Sequence, residues 1–261
     1  MRTDPPGRLL QRLVAGPTFV SHVLWSDRLD STNAEVSRRA GRGAAEGLLV
    51  LADEQTAGRG RLGRAWRAPP GTSLMGSLLL RPSAAVNDVA LLPLLLGLTL
   101  VEASETLVPG TQLSLKWPND LLVEDHKCAG ILVEAPATGV VVAGFGVNVD
   151  WRTVERPPEL AAATSLSEVS GGRVNRWRLL SQLIDRLDRR YRRWQADPRR
   201  FLPAYRERCA TLGQPVRVEH LDGRESFGTA VRVTDEGALV IDIDGVPMTV
   251  RAGDVHHLRH R

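Results

Sequence analysis

The stretch "DEQTAGRGRLGRAW", residues 53–66, places three arginines among three glycines and ends on an aromatic residue. Within it, "GRGRLG" satisfies G-x-G-x-x-G, the glycine pattern of dinucleotide-binding Rossmann turns. That turn requires a helix opening inside the motif and an acidic residue about 20 positions later. Pro69-Pro70 forbids the helix, and no carboxylate follows before Asp88. These residues exclude a Rossmann fold, and the absence of a G-K-[S/T] ending excludes a P-loop.

The same stretch still has the chemistry of an anion-binding loop. It follows "GLLVLADEQ", which predicts a buried strand. Glycines let the backbone approach a ligand closely, and arginines supply forked donors for carboxylate and phosphate. The alternative is a disordered basic surface loop, although such loops rarely end in an aromatic residue like Trp66. Because its arginines repel one another, we expect the loop to be mobile without ligand and ordered with it.

Composition limits the class of protein. The chain has 261 residues and is 43% hydrophobic, which suits a soluble globular protein with a sizeable core and a second small domain. The most apolar stretch, residues 89–101, is too short to span a bilayer and contains Pro93, so it predicts a buried helix. The N-terminus lacks the apolar region of a signal peptide. Two cysteines, Cys128 and Cys209, fit a reducing cytoplasm and no metal cluster.

The positive charge is concentrated in one segment. The chain carries a net charge of +4, whereas residues 173–208 alone carry 12 arginines against four acidic residues. Leucines recur there at four-residue steps, which predicts an amphipathic helix with a solvated basic face. A surface for nucleic acid or an acidic partner is the alternative.

Lysine is rare, since 34 basic residues include only Lys116 and Lys127. An ammonium is a compact point charge that enters a tight pocket more readily than a guanidinium. In a chain that otherwise uses arginine, both positions are therefore predicted to require an amine; chance is the alternative for so small a sample.

The remaining pattern predicts alternating strands and helices followed by a run of short strands. Residues 1–27 offer at most one short helix. The predicted elements after them are a capped helix starting at "DSTN" (30–33), strands at 47–55 and 72–82, a helix from Asp88 to about Val108, a strand "LSLKWP" (113–118), a hairpin turning at 124–126, a central strand "GVVVAGFGVNV" (139–149), the arginine-rich helix and a second helix ending near Cys209. Five short strands after residue 214 suggest a small barrel. We therefore expect domains at 1–210 and 211–261.

The motifs "DSTN", "EQTAGRGRLGRAW", "LKWPND", "KCAGILVE" and "GFGVN" occur in this order. In this respect the chain resembles the biotin protein ligases (biotin–[acetyl-CoA-carboxylase] ligase). The resemblance implies an α+β fold: a class II tRNA-synthetase-like core with a mixed sheet flanked by helices, plus a C-terminal SH3-like β-barrel. The sequence departs from the family pattern at His126 and Cys128, where arginine and leucine are usual. Because the motifs begin at Asp30, the resemblance is to the form without an N-terminal DNA-binding repressor domain, and we expect no specific DNA binding.

The resemblance also implies a cytoplasmic, membrane-independent enzyme with a two-step reaction. Biotin and ATP, the latter with Mg²⁺, give biotinyl-5′-AMP and pyrophosphate. A lysine of a biotin carboxyl carrier protein domain then takes the biotinyl group. Three alternatives stay open: a lipoate–protein ligase with the same chemistry, a basic nucleic-acid-binding protein, and a catalytically idle binding module.

Residue roles follow from the matching motifs. Lys127, Arg61 and Asp120 are implied to be catalytic. The residues implied to bind biotin are Ser31, Thr32, Asn33, Gln55, Arg59, Gly60, Arg61, Lys127, Gly130 and Leu132. Those implied to bind ATP or the adenylate are Arg59, Arg64, Trp66, Lys116, Asn119 and Asn148, the last of them through the triphosphate or its Mg²⁺. Lys116 is undecided between ATP contact and support of the loop.

Overall fold

The computed structural model describes residues 7–83, 86–156 and 158–258, which form two β-sheets and the helices packed on the larger one. The strands of the larger sheet are His22–Leu29 (β1), Leu48–Gln55 (β2), Ser73–Leu80 (β3), Leu113–Lys116 (β4), Asp120–Val123 (β5), His126–Ala137 (β6) and Val140–Asn148 (β7). Their order across the sheet is β1-β2-β3-β7-β6-β5-β4. β1 and β2 are parallel and the other neighbours are antiparallel, so the predicted mixed sheet is confirmed.

The α-helices of the described ranges are Gly7–Ala15 (α1), Thr32–Gly41 (α2), Leu92–Glu105 (α3), Leu166–Val169 (α4), Arg176–Ala196 (α5) and Leu202–Glu207 (α6). Helix α2 begins where the sequence predicted, because the Ser31 side chain accepts a hydrogen bond from the first turn. Helix α3 begins later than predicted. A 3₁₀ turn, Val86–Leu91, precedes it, and Pro93 occupies its first turn, where a missing N–H costs nothing.

The helices cover both faces of the sheet. On one face α2 packs in a cluster composed of Val36, Ala40, Leu48, Val50, Leu79, Val140 and Val142. On the other face α3 and α5 form the main core, which includes Val141 and Ala143. Alternate residues of a strand point to opposite faces, so Gly144 and Gly146 of β7 lie on the α2 face. Since both faces are covered, every residue of β7 is buried, as expected for the central strand.

The C-terminal strands are Pro215–Glu219 (β8), Glu225–Val233 (β9), Leu239–Ile243 (β10), Val246–Val250 (β11) and Asp254–His257 (β12). They form an antiparallel sheet in the order β11-β10-β9-β8-β12. This sheet is joined to the larger one by hydrogen bonds. The Trp117 indole donates to the carbonyl of Gly237 at 2.9 Å, and the Trp117 amide donates to the hydroxyl of Thr211 at 3.0 Å. The five strands correspond to those predicted from sequence.

Strand β1 was not predicted. The sequence suggested at most one short helix before residue 28, and the structure has α1 followed by this strand. β1 lies at the edge of the sheet, and its burial does not alternate along the strand. An edge strand tolerates charged residues such as Asp27 and Arg28, so its local pattern carries little signal. Its position depends on parallel pairing with β2, which is a long-range contact.

A buried ion pair fixes the start of α5 against the end of β2. Arg176 Nη1 lies 2.5 Å from Asp53 Oδ1, and the two side chains are 7% and 1% exposed. Arg176 also donates to the Ser73 carbonyl at 3.2 Å and stacks over the Trp177 ring. The residues immediately after β2 form the glycine- and arginine-rich loop, so this pair anchors one end of that loop.

We predict that Arg176→Gln lowers the free energy of unfolding by about 3–5 kcal/mol, because it leaves the Asp53 carboxylate buried without its charge partner. Urea denaturation measures the change. The control is Arg224→Gln, which breaks an exposed pair with Asp222 and should leave the free energy of unfolding nearly unchanged. Equal losses in the two variants would contradict the prediction.

Candidate functional site

A cavity on the α2 face brings together most of the predicted site residues. Those that line it are Ser31, Thr32, Asn33, Gln55, Arg59, Gly60, Arg61, Arg64, Trp66, Asn119, Asp120, Lys127, Gly130 and Leu132. The cavity measures about 110 Å³. Ligand sites usually measure about 300–1,000 Å³, so a sizeable ligand requires the loop to move outward.

Glycines on the two central strands form the floor of the cavity. Gly130 of β6 and Gly146 of β7 are paired in register. A Cβ at Gly146 would collide with the Trp66 indole, and a Cβ at Gly130 would lie 3.0 Å from its edge. The indole of Trp66 therefore rests on bare backbone. Its Nε1 is buried and has no hydrogen-bond partner among the described residues, so a bound ligand could accept from it.

The start of α2 forms one polar wall. Gln55 Oε1 accepts from the Thr32 amide at 2.8 Å and lies 3.2 Å from the Thr32 hydroxyl. Asn33 Nδ2 donates to Glu134 Oε2 at 2.7 Å and to the Leu132 carbonyl at 3.2 Å. These contacts hold the polar residues of the wall in one arrangement along the cavity lining.

Two further residues complete this wall. The Ser77 hydroxyl of β3 lies 2.5 Å from Asn33 Oδ1 and 2.7 Å from the Thr32 hydroxyl. A Cβ at Gly144 would collide with the Asn33 amide. Side-chain-free backbone at this position therefore lets Asn33 reach the surface of the sheet.

The glycine- and arginine-rich loop, residues 56–72, closes over the cavity. Arg59 and Ala65 form a β-bridge, and the Gly60 amide donates to the Arg64 carbonyl at 2.7 Å. Between them Leu62 and Gly63 adopt the left-handed conformation, with φ of 54° and 74°. Glycine accommodates that geometry without strain. The loop is therefore a tight hairpin, and its arginines lie on or next to a short reverse turn.

Each loop arginine has a different partner. Arg59 pairs with Glu134 of β6 at 3.0 Å. Arg61 Nη1 donates to Asn119 Oδ1 at 3.2 Å. Arg64 pairs with Asp254 of β12, the strand at the edge of the second sheet. Arg67 pairs with Glu159 at 2.8 Å, so the loop arginines attach it at four points, one of them on the C-terminal sheet.

Cations and carboxylates lie together in the lining of the cavity. Lys127 Nζ lies 2.7 Å from Asp120 Oδ1 and 5.9 Å from the centre of the Trp66 ring. Burial lowers the pKa of Arg61, and the charges of Asp120 and Asp254 partly oppose this. A guanidinium remains charged under these conditions. The site therefore holds fixed positive charge in a place partly shielded from water.

Asp254 contributes negative charge to the same region. Burial, the largest single effect, would raise the pKa of its carboxyl group, but the hydrogen bond and charge of Arg64, together with the charges of His256 and Lys116, outweigh burial and the pKa is lowered. The group is therefore ionised at neutral pH.

Lys116 and Asn148 do not line the cavity. Lys116 lies directly across from Asp120 in the β4–β5 pair, and burial lowers its pKa while Asp120 and Asp254 oppose the shift. Asn148 Nδ2 donates to the Thr164 carbonyl at 3.0 Å, and its Oδ1 is buried without a hydrogen-bond partner among the described residues. Cys128 is fully buried in the core on the other face, as expected for a small hydrophobe.

Sequence reasoning assigned no role to several residues that form the site. These are Ser77, Glu134, Gly144, Gly146 and Asp254. The spacing of the two glycines in "GFGVN" indicates one strand face and could have identified them. Asp254 carries no local signal, because its contact with Arg64 spans nearly 190 residues of chain.

Comparison with protein-family models identifies two matches. Residues 25–150 match the "Biotin/lipoate A/B protein ligase family", and residues 211–258 match the "Biotin protein ligase C terminal domain". No helix in the described ranges is long and apolar enough to cross a membrane.

Curated proteins and solved structures agree with these matches. The chain is 38% identical to the biotin–[acetyl-CoA-carboxylase] ligase of Mycobacterium tuberculosis over 88% of this chain and 86% of that protein. It is 34% identical to the bifunctional ligase/repressor BirA of Bacillus spizizenii over 85% of this chain and 69% of that protein. The biotin protein ligase of Aquifex aeolicus, solved with biotin and ATP, is 29% identical and superposes with a TM-score of 0.80, covering 92% of this chain and 100% of that one.

We predict that Glu134→Gln and Asp254→Asn each accelerate tryptic cleavage at the loop arginines about two- to fivefold in the ligand-free protein, since each removes one partly exposed ion pair. Timed digestion with mass spectrometry locates the cuts. Asp222→Asn, on an exposed turn of the C-terminal sheet, serves as the control and should leave loop cleavage unchanged. If both loop variants digest like the control, the ion pairs do not hold the loop.

Proposed function

The chain belongs to the biotin protein ligase family, and from this we propose that it activates biotin with ATP and transfers the biotinyl group to a lysine of a biotin carboxyl carrier protein domain. The observation that carries the proposal is the single cavity in which Lys127, Asp120 and the loop arginines meet a prearranged polar wall. Names of relatives and the biotin- and ATP-bound structure of the Aquifex aeolicus enzyme support it.

The first step joins two anions. A carboxylate oxygen of biotin attacks the α-phosphorus of ATP, the new P–O bond forms, and the bond to pyrophosphate breaks. Repulsion between carboxylate and phosphate opposes their approach. Lys127 and Arg61 offset it and stabilise the charge that develops on the phosphorus oxygens. The proposal draws support from the position of Lys127 beside the Trp66 ring and from the burial of Arg61.

Biotin binding requires a polar wall, because the ureido ring has two donors and one acceptor that each need a partner when buried. Ser31, Thr32, Asn33 and Gln55 supply these partners in the proposal. Their hydrogen bonds to one another, to Ser77 and to Glu134 support it, since a wall already fixed in place loses little entropy on binding. Gly60, Gly130 and Leu132 would line the channel for the aliphatic tail.

The adenylate would lie beneath the loop. Arg59 and Arg64 would contact phosphate after exchanging their present carboxylate partners for it, and Trp66 would cover the product. Exclusion of water protects the mixed anhydride from hydrolysis. Asn119 lies within hydrogen-bonding distance of Arg61 and would hold it at the reacting phosphate.

Mg²⁺ would arrive with ATP rather than sit in a prebuilt protein site. The two carboxylates that line the cavity, Asp120 and Asp254, already pair with cations. Mg²⁺ is commonly held by substrate phosphates with few protein ligands. Asn148, whose buried Oδ1 has no partner among the described residues, is the proposed contact to the triphosphate or its ion. Lys116, which does not line the cavity, has the same two proposed roles as before: contact with ATP or support of the loop.

The second step transfers the acyl group. The amine of the carrier lysine attacks the anhydride carbonyl, the C–N bond forms, and AMP leaves. A free lysine has a pKa of about 10.4, so it must lose a proton first. We assign Asp120 the role of orienting this amine and accepting its proton. Its pairing with Lys127 supports the assignment, because it places a carboxylate beside the proposed reacting centre.

The test is ATP-dependent transfer of labelled biotin to a purified carboxylase carrier domain. Parallel reactions use lipoate with a lipoyl domain, which shares the chemistry, and omit ATP. Transfer of biotin alone supports the proposal. Transfer of lipoate alone would identify the chain as a lipoate–protein ligase. Biotin binding without pyrophosphate release would identify it as a protein that binds biotin without activating it.

We predict that Lys127→Arg abolishes adenylate formation although the charge is kept. The planar guanidinium cannot reproduce the position of the compact ammonium that lies 2.7 Å from Asp120 Oδ1 and beside the Trp66 ring, and this chain otherwise uses arginine as its ordinary cation. Pyrophosphate release is the measurement. Arg67→Lys, at an exposed pair outside the cavity, is the matched control and should react at the wild-type rate. A similar rate for Lys127→Arg would mean that charge alone matters.

We predict that biotin plus ATP protects the loop from trypsin, because the adenylate replaces the carboxylate partners of the arginines with phosphate. Arg61→Ala should slow adenylation and let preformed biotinyl-AMP escape faster, which labels bystander lysines on an added inert protein. Limited proteolysis and streptavidin blotting provide the two measurements. Identical cleavage rates with and without substrates would contradict the proposal that the loop closes over the bound adenylate.

A further inference from the structure

A second, basic groove lies on the opposite side of the molecule from the catalytic cavity. Helices α5 and α3 and the start of α6 enclose it, and its volume is about 410 Å³. These helices cover the face of the larger sheet that α2 does not. Its arginines are Arg186, Arg189, Arg190, Arg193 and Arg200. Nothing in the proposed ligase reaction uses this groove.

Among the described residues, fewer arginines have a carboxylate partner inside the groove than immediately around it. Just outside it, Arg192 pairs with Asp188, Arg199 with Asp88, and Arg206 with Asp235. These three neighbouring arginines are therefore neutralised locally.

Inside the groove neutralisation is incomplete. Arg190 pairs with Glu102, and Arg186 donates to the neutral amide of Gln182 at 2.8 Å. Arg189, Arg193 and Arg200 have no carboxylate partner within the ranges that the structure describes. Apart from Glu102, the lining contains one other carboxylate, Asp197. The groove thus carries three more positive than negative charges.

The geometry of these charges limits the ligand. Positions 186, 189 and 193 share one side of α5 and span about 10 Å along it, at 1.5 Å per residue. A peptide spaces its carboxylates about 3.3 Å or more apart along the chain and would need a run of acidic residues to match several guanidiniums here. Linked phosphates place more charge in less volume. Guanidinium forks also match phosphate oxygens in shape.

The floor of the groove gives no reason to expect an apolar ligand. Leu95 and Trp194 contribute to it but are each 1% exposed, and Phe201 is 7% exposed. Recognition would therefore rest on charge and on hydrogen bonds from the arginines.

We propose that this groove binds a small polyphosphate: an inorganic polyphosphate or the phosphate chain of a nucleotide. The binding would relieve repulsion among Arg186, Arg189, Arg193 and Arg200. Two sources share this chemistry, and the experiment separates them. The proposal does not depend on the ligase function, because the groove shares no residue with the catalytic cavity.

The experiment is calorimetric titration of the full chain at physiological ionic strength. ATP and polyphosphate would also be drawn to the catalytic cavity, so the titration uses an Arg59→Gln/Arg61→Gln/Arg64→Gln background. We expect one tripolyphosphate per chain in that background. Adding Arg189→Gln and Arg193→Gln should weaken its affinity by at least about tenfold, as the loss of two charge-assisted contacts requires.

The matched control adds Arg178→Gln and Arg232→Gln instead, which removes the same charge at exposed positions outside the groove. It should change the affinity by less than about twofold. Circular dichroism verifies that all variants are folded. ATP binding as tight as tripolyphosphate binding assigns the ligand to nucleotides, and weaker ATP binding assigns it to inorganic polyphosphate.

Three results would overturn the proposal: no saturable binding, equal weakening in the groove and control variants, or tighter binding of another class of ligand. Hexaglutamate and single-stranded oligonucleotides of increasing length test the last case. Biotin transfer by the Arg189→Gln/Arg193→Gln chain with an otherwise wild-type loop should match wild type, so failure of the ligase proposal remains separable.

Discussion

The indole of Trp66 rests on backbone that has no side chains, and the site depends on this contact. Gly130 and Gly146 lie side by side on the two central strands, and a methyl group at either would press on the indole. Because the floor is flat, Trp66 can cover the cavity, and Lys127 lies beside the Trp66 ring. The strands can supply glycines here because packing on both faces and pairing on both edges already hold them rigid. The floor is therefore held in place by the sheet, and a larger ligand must be accommodated by the loop.

Most of the charged side chains in the catalytic cavity are paired with a group of opposite charge. Three of the four described cations that line the cavity have a carboxylate partner they can exchange: Glu134 for Arg59, Asp120 for Lys127 and Asp254 for Arg64. Arg61 instead donates to the neutral amide of Asn119. The ligand-free protein therefore avoids the cost of uncompensated charge in a partly buried place. An anionic ligand then competes with carboxylates rather than with water.

Much of this arrangement was predictable from sequence. Motif order indicated the family and the mixed sheet, and "DSTN" gave the start of α2 because capping is a local interaction. Most of the proposed site residues line one cavity because short motifs carry them at the ends of strands.

The remainder depended on contacts between distant parts of the chain. β1 is recognisable only through its pairing with β2. Asp254 belongs to no sequence motif. Ser77 lies in a strand whose sequence predicts only buried core, and its part in the site depends on its contact with Asn33. Local patterns encode elements and loops, while these positions are set by how the elements dock.

The pairing of Arg64 with Asp254 has a consequence for how the molecule responds as a whole. It makes the attachment of the C-terminal sheet and the position of the loop parts of one equilibrium. Free-energy coupling is reciprocal, so a ligand that draws Arg64 away from Asp254 must weaken that attachment by the same amount that the attachment opposes ligand binding. The small sheet thus opposes outward movement of the loop. The hydrogen bonds that join it to the larger sheet, through Trp117 and Thr211, contribute to the free energy of that movement.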